Sequence, residues 1–494
     1  MELLDKVYQS TQEYIEKMPK EQRKKYGQFF TSKEIAVFMS GLFAIPENKT
    51  NLTILDPGTG SGILSAALIE RLAENGIQSV HLVCYETDDN ITELLQSNLE
   101  YIKANGSIDF FYEIRSENYI TSQESEYNHY LGADDDPAKY DMVILNPPYK
   151  KIAKNAPEAL AMPDVCYGAP NLYFLFMQMA LFDLKDNAEM VAIIPRSWTS
   201  GAYFEHFRQR FLTECRIRHI HLFISRDKVF ENESVLQETL IIKVVKSQEV
   251  TESITMTTSN SNKDFDNITT FTAPYNTVVS GENYYVYLVT NEDEIEVLTQ
   301  LGKWSDTLPT LGLKMKTGLT VDFRNREVLR NTEEQSAVPL FYSQHIQAGK
   351  VIFPIGKENE YIVTDQAGLL QKNKNYLFVK RFTAKEEHRR LQCGVYLSRK
   401  FSAYSLISTQ NKINFIDGAT EISECVVFGL YVIFNSTFYD CYYRILNGST
   451  QVNSTEVNSM PMPPMNIIEA MGKQLIAVRD MSENSCDTIL RSYL

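Results

Sequence analysis

The chain has 494 residues, 44% of them hydrophobic, and a formal charge of −15. That length accommodates two or three globular domains with a large core. No run of roughly 18 apolar residues occurs, which argues against a membrane span, and MELLDKVYQSTQEYIEKMPK reads as a charged amphipathic helix and not a signal peptide. The seven cysteines, at 84, 166, 215, 393, 425, 441 and 486, form no CxxC pair. A scattered, odd set fits a reducing cytoplasm and argues against a disulfide framework or structural zinc, so no metal site is assigned.

The net acidity argues against a nucleic-acid partner, but its distribution does not. Residues 311–412 carry 17 Lys and Arg against 9 Asp and Glu, so the rest of the chain is strongly acidic. A basic segment in an acidic protein suggests either a localised polyanion-binding surface or a solvated face.

Residues 50–246 alternate in βα fashion. Strands are expected at 52–56, 80–85, 109–114, 142–146, 190–194, 217–222 and 238–245, and helices at 63–74, 90–103, 171–184 and 203–212. That alternation predicts a mostly parallel sheet covered on both faces, with an antiparallel edge where the last two strands lack a long helix between them. The polar stretch 121–139, with Asp134-Asp135-Asp136, is expected to be an exposed insertion. Residues 150–170 read as a mobile lid or a disordered loop. Residues 1–25 are expected to be an N-terminal helical segment, 26–246 the catalytic domain, 247–267 a linker, and 268–494 a second, mixed α+β domain with weaker periodicity.

Two motifs carry chemistry. In the first, the expected strand 52–56 ends at Asp56 and is followed by Pro57-Gly58-Thr59-Gly60-Ser61-Gly62, so the backbone can approach a ligand closely at a strand end. This spacing differs from the dinucleotide fingerprint GxGxxG. Asp56 is placed to hold a cationic amino group, which favours a ligand with an amino-acid moiety. Glu86, after the second strand, is placed to accept two ribose hydroxyls, and Glu117, after the third, to bond an adenine amino group. The second motif is Asn146-Pro147-Pro148-Tyr149, at the end of a buried apolar run. Asn146 offers an amide oxygen, Pro147 a carbonyl oxygen and no N–H, and Tyr149 a flat ring. Together they can grip a planar, conjugated amino group. Two acceptors on its hydrogens favour a tetrahedral nitrogen and localise its lone pair for attack on an electrophilic methyl.

The order DPGTGSG, an acid after strand two, then NPPY, resembles the γ group (TaqI-type) of S-adenosylmethionine-dependent N6-adenine DNA methyltransferases. YGQFFT at 26–31 resembles that group's N-terminal motif, whose threonine, here Thr31, lies against the methionine part of the cofactor. NLYFLF at 171–176 is similar to the helix that shapes the cofactor pocket. IIPRSW at 193–198 followed by YFEHFR at 203–208 is similar to the segment that supplies a ring to the flipped base, which points to Phe204, with Tyr203 second. KTGLTVDFR at 316–324, PLFYSQH at 339–345, VKRFTAKEE at 379–387, and FNSTFY at 434–439 with PMPP at 461–464 resemble the recognition region of the PstI/BsuBI-like subset.

The resemblance implies a Rossmann-like S-adenosylmethionine-binding α/β domain and a C-terminal target-recognition domain. It implies a cytoplasmic, monomeric enzyme acting on double-stranded DNA, with a cognate restriction endonuclease as genetic partner or as an orphan. Catalysis would fall to Asn146, Pro147, Pro148 and Tyr149, and cofactor binding to Thr31, Asp56, Gly58, Gly60, Gly62, Glu86, Glu117 and Asn146. Charge and location nominate Lys314, Lys316, Arg324, Lys380, Arg381 and Lys385 for DNA contacts. Two departures from the group are Thr87 and Asn118, which stand where apolar or aromatic residues commonly sandwich the cofactor adenine. An RNA or a protein glutamine is the alternative acceptor, because a carboxamide nitrogen is also planar and conjugated; the long C-terminal half favours DNA.

Overall fold

A computed structural model describes residues 2–17, 31–130, 139–224, 238–281, 283–384, 386–446 and 450–494. Contacts divide the chain into two compact units, Met1–Glu292 and Asp293–Leu494.

The first unit is built on a nine-stranded sheet. Its strands are β1 (Asn51–Pro57), β2 (Ser79–Tyr85), β3 (Asp109–Arg115), β4 (Tyr140–Leu145), β5 (Leu184–Pro195), β6 (Cys215–Phe223), β7 (Thr239–Lys246), β8 (Ser253–Ser259) and β9 (Thr269–Pro274). They lie in the order β3-β2-β1-β4-β5-β7-β6-β8-β9. The first five in that order are parallel, whereas β7 runs antiparallel to both β5 and β6. The chain steps from β3 at one edge to β4 on the far side of β1, so the order reverses between β1 and β4. Ligands bind outside the carboxyl ends of strands at such a switch point.

Burial explains the strand sequences. Ile54, Leu55, Val143, Ile144 and Leu145 are fully buried, as are Met190–Ile194. Central strands covered on both faces read as continuous apolar runs, and each such side chain contributes about 1.5–3 kcal/mol. The helix Leu172–Asp183 is buried on every side, down to Gln178 and Asp183. Gly62 caps the helix Ile63–Glu74 at φ 82°, and Asp88 caps Asp89–Asn105 through its side chain.

Three expectations differ from the structure. Residues 247–267, expected as a linker, contain β8, which pairs in parallel with β6 and carries β9 beyond it. SITMTTS is polar by composition, but its β-branched threonines suit a pleated, largely buried strand. The stretch 121–139 contains the helix Glu124–Tyr130, whose Tyr127 is buried; Asp134-Asp135-Asp136 fall outside the described residues. Residues 150–170 are ordered rather than a free loop. Ile152 N–H donates to Pro170 O at 2.8 Å and Leu172 N–H to Lys150 O at 2.8 Å, closing a strap that includes the helix Pro157–Ala161 and buries Ala161, Met162 and Val165. The N-terminal helix Glu2–Lys17 is an integral part of the unit, with Leu3, Leu4 and Val7 in its core.

The second unit combines a six-stranded and a five-stranded sheet with helices, the mixed α+β architecture expected. Tyr396 stacks between Phe378 and Phe401, and Phe341 packs edge-on against Phe378 and Phe401. The helices Glu424–Phe434 and Met465–Val478 meet at Gly429 and Gly472. A Cβ on Gly429 would fall 1.9 Å from Ile468 O, and one on Gly472 1.8 Å from Cys425 O, so only glycine permits this approach.

Candidate active site at the switch point

The loop after β1 is shaped by glycine. Gly58, Gly60 and Gly62 all have positive φ, at 73°, 60° and 82°. Gly58 and Thr59 N–H both donate to Tyr85 O, at 2.9 and 3.0 Å, tying the loop to the end of β2. Gly60 N–H donates to Glu86 Oε2 at 3.0 Å, and Asp88 N–H to Glu86 Oε1 at 2.9 Å. The Glu86 carboxylate is thus oriented beside the loop, and burial raises its pKa. The space where a Gly60 side chain would stand is open, whereas a Gly58 Cβ would come 3.5 Å from the Phe176 ring and 3.8 Å from Pro148 Cδ. The two motifs therefore meet at Gly58.

Asp56 is buried. Its Oδ2 accepts from Ser65 Oγ at 2.6 Å, while Oδ1 has no hydrogen-bond partner among the described residues. Burial pushes its pKa up to about 7, with Glu86 adding to the rise. A buried carboxylate oxygen without a donor, beside an open glycine turn and an acid at the next strand end, suits a cofactor that carries an ammonium and a ribose diol.

Asn146 follows the last residue of β4. Its Nδ2 donates to Thr31 Oγ1 at 3.1 Å, which turns Oδ1 to the opposite side of the amide. Residues 26–30 of the same N-terminal motif lie outside the described residues. Pro147 is buried. Tyr149 is 8% exposed, and its hydroxyl donates to Ile193 O of β5 at 3.0 Å. Burial holds that phenol well above the usual tyrosine range, so it remains protonated. The Tyr149 ring meets Tyr173 edge-on at 6.3 Å, and Tyr173 in turn lies 5.9 Å from Phe204. Phe204 also packs edge-on against Phe174 at 5.5 Å. The two sequence-nominated rings thus belong to one aromatic wall. Tyr203 does not join it, being 63% exposed.

Glu117 is exposed beyond β3 without a hydrogen bond among the described residues. Neighbouring Asn118 is committed to structure: its Oδ1 accepts from Ile120 and Thr121 N–H, and its Nδ2 donates to Glu158 Oε1 at 2.9 Å.

The nominated cations are in the second unit. Lys314 and Lys316 are exposed on one face of the strand Leu313–Thr317, and Arg324 is exposed beside the Phe323 ring. Lys316 pairs with Asp417 at 2.8 Å, and Lys374 pairs with the same carboxylate at 3.0 Å. Lys380 donates to Gln392 Oε1 at 2.8 Å and Arg381 to Asn411 O at 3.0 Å; Lys385 falls outside the described residues. Arg399 pairs with Glu424, and Arg389 with Glu483. Asp417, Glu424 and Glu483 all lie beyond residue 412, so the local excess of positive charge is partly neutralised by acids distant in sequence.

Two supports escaped sequence reasoning. Asn98 receives Ser10 Oγ at 2.7 Å and donates to Ser61 O at 2.8 Å, linking the N-terminal helix to the glycine loop. Arg208 is fully buried; Nη1 donates to Trp198 O at 2.8 Å and Gly201 O at 2.7 Å, and Nε to Asn283 O at 3.0 Å. It fastens the turn that carries Tyr203 and Phe204. An arginine on an apolar helix face is the only local sign of such a role.

Residues 68–230 match the family described as Eco57I restriction-modification methylase. The chain is 32% identical over 484 residues to the type II methyltransferase M.PstI of Providencia stuartii, spanning 96% of this chain and 93% of that protein. It is also 32% identical over 485 residues to M.BsuBI of Bacillus subtilis, spanning 95% and 94%. The solved structure of the type IIL restriction-modification enzyme MmeI in complex with DNA shares the fold, at 11% identity and TM-score 0.52 over 96% of this chain and 69% of that one. The chain belongs to the S-adenosylmethionine-dependent type II methyltransferases of restriction-modification systems, in the subset that includes M.PstI and M.BsuBI.

Proposed function

We infer that this protein transfers a methyl group from S-adenosylmethionine to N6 of an adenine turned out of double-stranded DNA. The observation that carries this reading is Asn146, oriented by Thr31 at the end of β4, in a motif whose Pro148 lies against Gly58 of the glycine loop. Asn146 Oδ1 and the Pro147 carbonyl would accept the two amino hydrogens, bending the nitrogen toward tetrahedral geometry. The same acceptors stabilise the positive charge that develops there. Bound cofactor supplies an electrophilic methyl on a sulfonium; the amino nitrogen forms the new bond and then sheds one proton to water.

Glu86 would accept the ribose hydroxyls, and Glu117 would face the cofactor adenine. An incoming ammonium is the partner that Asp56 Oδ1 lacks, and would favour the charged carboxylate. Turning a base out of the duplex costs roughly a few kcal/mol. Stacking on Tyr149, with Phe204 as part of the wall, offsets about 1–3 kcal/mol per contact. Methylation at cytosine C5 would need a thiolate; Cys166, in the strap after NPPY, has its thiol pushed up to about 12 by burial and by Asp164. The second unit would read the target sequence, with Lys314 and Arg324 as exposed candidates for phosphate contact. We read the enzyme as a cytoplasmic monomer, either with a cognate nuclease as genetic partner or as an orphan.

Incubation of the protein with isotopically labelled cofactor and unmethylated DNA, followed by digestion to nucleosides, should place the label in N6-methyldeoxyadenosine. Label in N4-methyldeoxycytidine, or only in RNA or protein glutamine offered in parallel, would overturn the reading.

A further inference from the structure

The turn that delivers Phe204 inward delivers its neighbour outward. Tyr203 is 63% exposed, and Tyr167, from the strap after NPPY, is 55% exposed. Their ring centroids are 6.2 Å apart, and the exposed His206 ring lies 5.6 Å from Tyr167. The strap lies against Tyr203 at Gly168, whose φ of 76° favours glycine: a Cβ there would stand in ordinary contact with the tyrosine ring, at 3.6 Å. Lys151 Nζ stands 5.9 Å from the Tyr203 centroid. Lys150, Lys151 and Lys154 are all exposed, and none is paired with a carboxylate among the described residues. Burial cannot account for two large rings held in water beside Lys151, on a strap segment that carries two further exposed lysines, and no role in the aromatic wall does so either.

We propose that Tyr167 and Tyr203 form a stacking surface at the rim of the active site for a second, unstacked nucleobase of the DNA, with Lys150, Lys151 and Lys154 following its phosphates. Flat aromatic faces interleaved with cations are the arrangement that binds single-stranded nucleic acid without regard to sequence. Extrusion of one base exposes the faces of its neighbours. A platform on the outer side of the same turn would hold one of them while Phe204 flanks the target. The inference rests on DNA as the substrate.

The test compares two labelled strands by fluorescence anisotropy on the full chain: a short mixed-sequence single strand and an abasic strand of equal length and charge. The unsubstituted protein should bind the base-bearing strand on the order of ten-fold more tightly. The double substitution Tyr167→Leu with Tyr203→Leu should remove most of that preference and leave abasic binding unchanged. Tyr203→Trp, which keeps a flat face, should retain the preference, and Lys151→Gln should weaken both strands alike. Cofactor binding by calorimetry on the same preparations should be unaltered, because both rings are exposed. A double variant that keeps the full preference, or an unsubstituted chain that binds both strands equally, would overturn the proposal. Methyl transfer to DNA by the unsubstituted chain, measured alongside, separately decides the reading on which it rests.

Discussion

Tyr149 provides the sharpest separation between stacking and acid–base roles. Its hydroxyl donates to Ile193 O at 3.0 Å and its pKa is driven up by burial, so it is not available as a base at neutral pH. Tyr149→Phe keeps the ring and removes one neutral hydrogen bond, a net contribution of about 0.5–1.5 kcal/mol. If all of that were lost from the transition state, the rate would fall by about 2- to 12-fold. Tyr149→Ala removes the stacking face as well, and methyl transfer should fall by about two to three orders of magnitude. Single-turnover transfer of labelled methyl to unmethylated bulk DNA, at saturating cofactor, measures both. Cofactor affinity should be nearly unchanged in each variant. A Tyr149→Phe enzyme as inactive as Tyr149→Ala would assign the chemistry to the hydroxyl and refute the stacking account.

Asp56 binds a proton more tightly folded than unfolded, so its contribution to stability is complete below about pH 4 and is lost as pH rises toward 7. Asp56→Asn removes the titration, and its urea stability relative to the parent should rise by on the order of 2 kcal/mol between pH 5 and pH 8; parallel pH profiles would contradict this. Gly429→Ala places a methyl 1.9 Å from Ile468 O and should destabilise the protein by about 3 kcal/mol in urea unfolding, whereas an unchanged midpoint would show that the two helices can separate. Lys314→Gln should lower the slope of log affinity for duplex DNA against log salt by about 1, while Arg399→Gln, already neutralised by Glu424, should leave it unchanged. Equal effects would mean that the ion pair opens on DNA.

What was legible in the sequence is what depends on near neighbours. The seven strands and four helices expected in 50–246 all occur, with most ends displaced by no more than two residues and the start of β5 by six. The glycine loop and NPPY stand at strand ends, as a short apolar run stopped by Gly or Pro requires. Less legible were features set by distant partners. The polar Ser253–Ser259 becomes a strand because β6 offers it an edge to pair with. The strap at 150–170 is ordered by hydrogen bonds between its own ends, which no periodicity signals. The basic segment is partly neutralised by Asp417, Glu424 and Glu483, acids that lie C-terminal to it in the chain. Within the site, Tyr203 and Phe204 are adjacent in sequence, yet one faces water and the other a ring cluster. The short helical turn Ala202–Phe204 decides which is which.

The most direct test of the account is modified-base sequencing of unmethylated bacterial DNA after incubation with the purified protein and S-adenosylmethionine, with Asn146→Ala in parallel. The account predicts N6-methyladenine at one recurring motif with the parent protein and none with the variant. A mark on cytosine, or an equal mark from the Asn146→Ala protein, would contradict it.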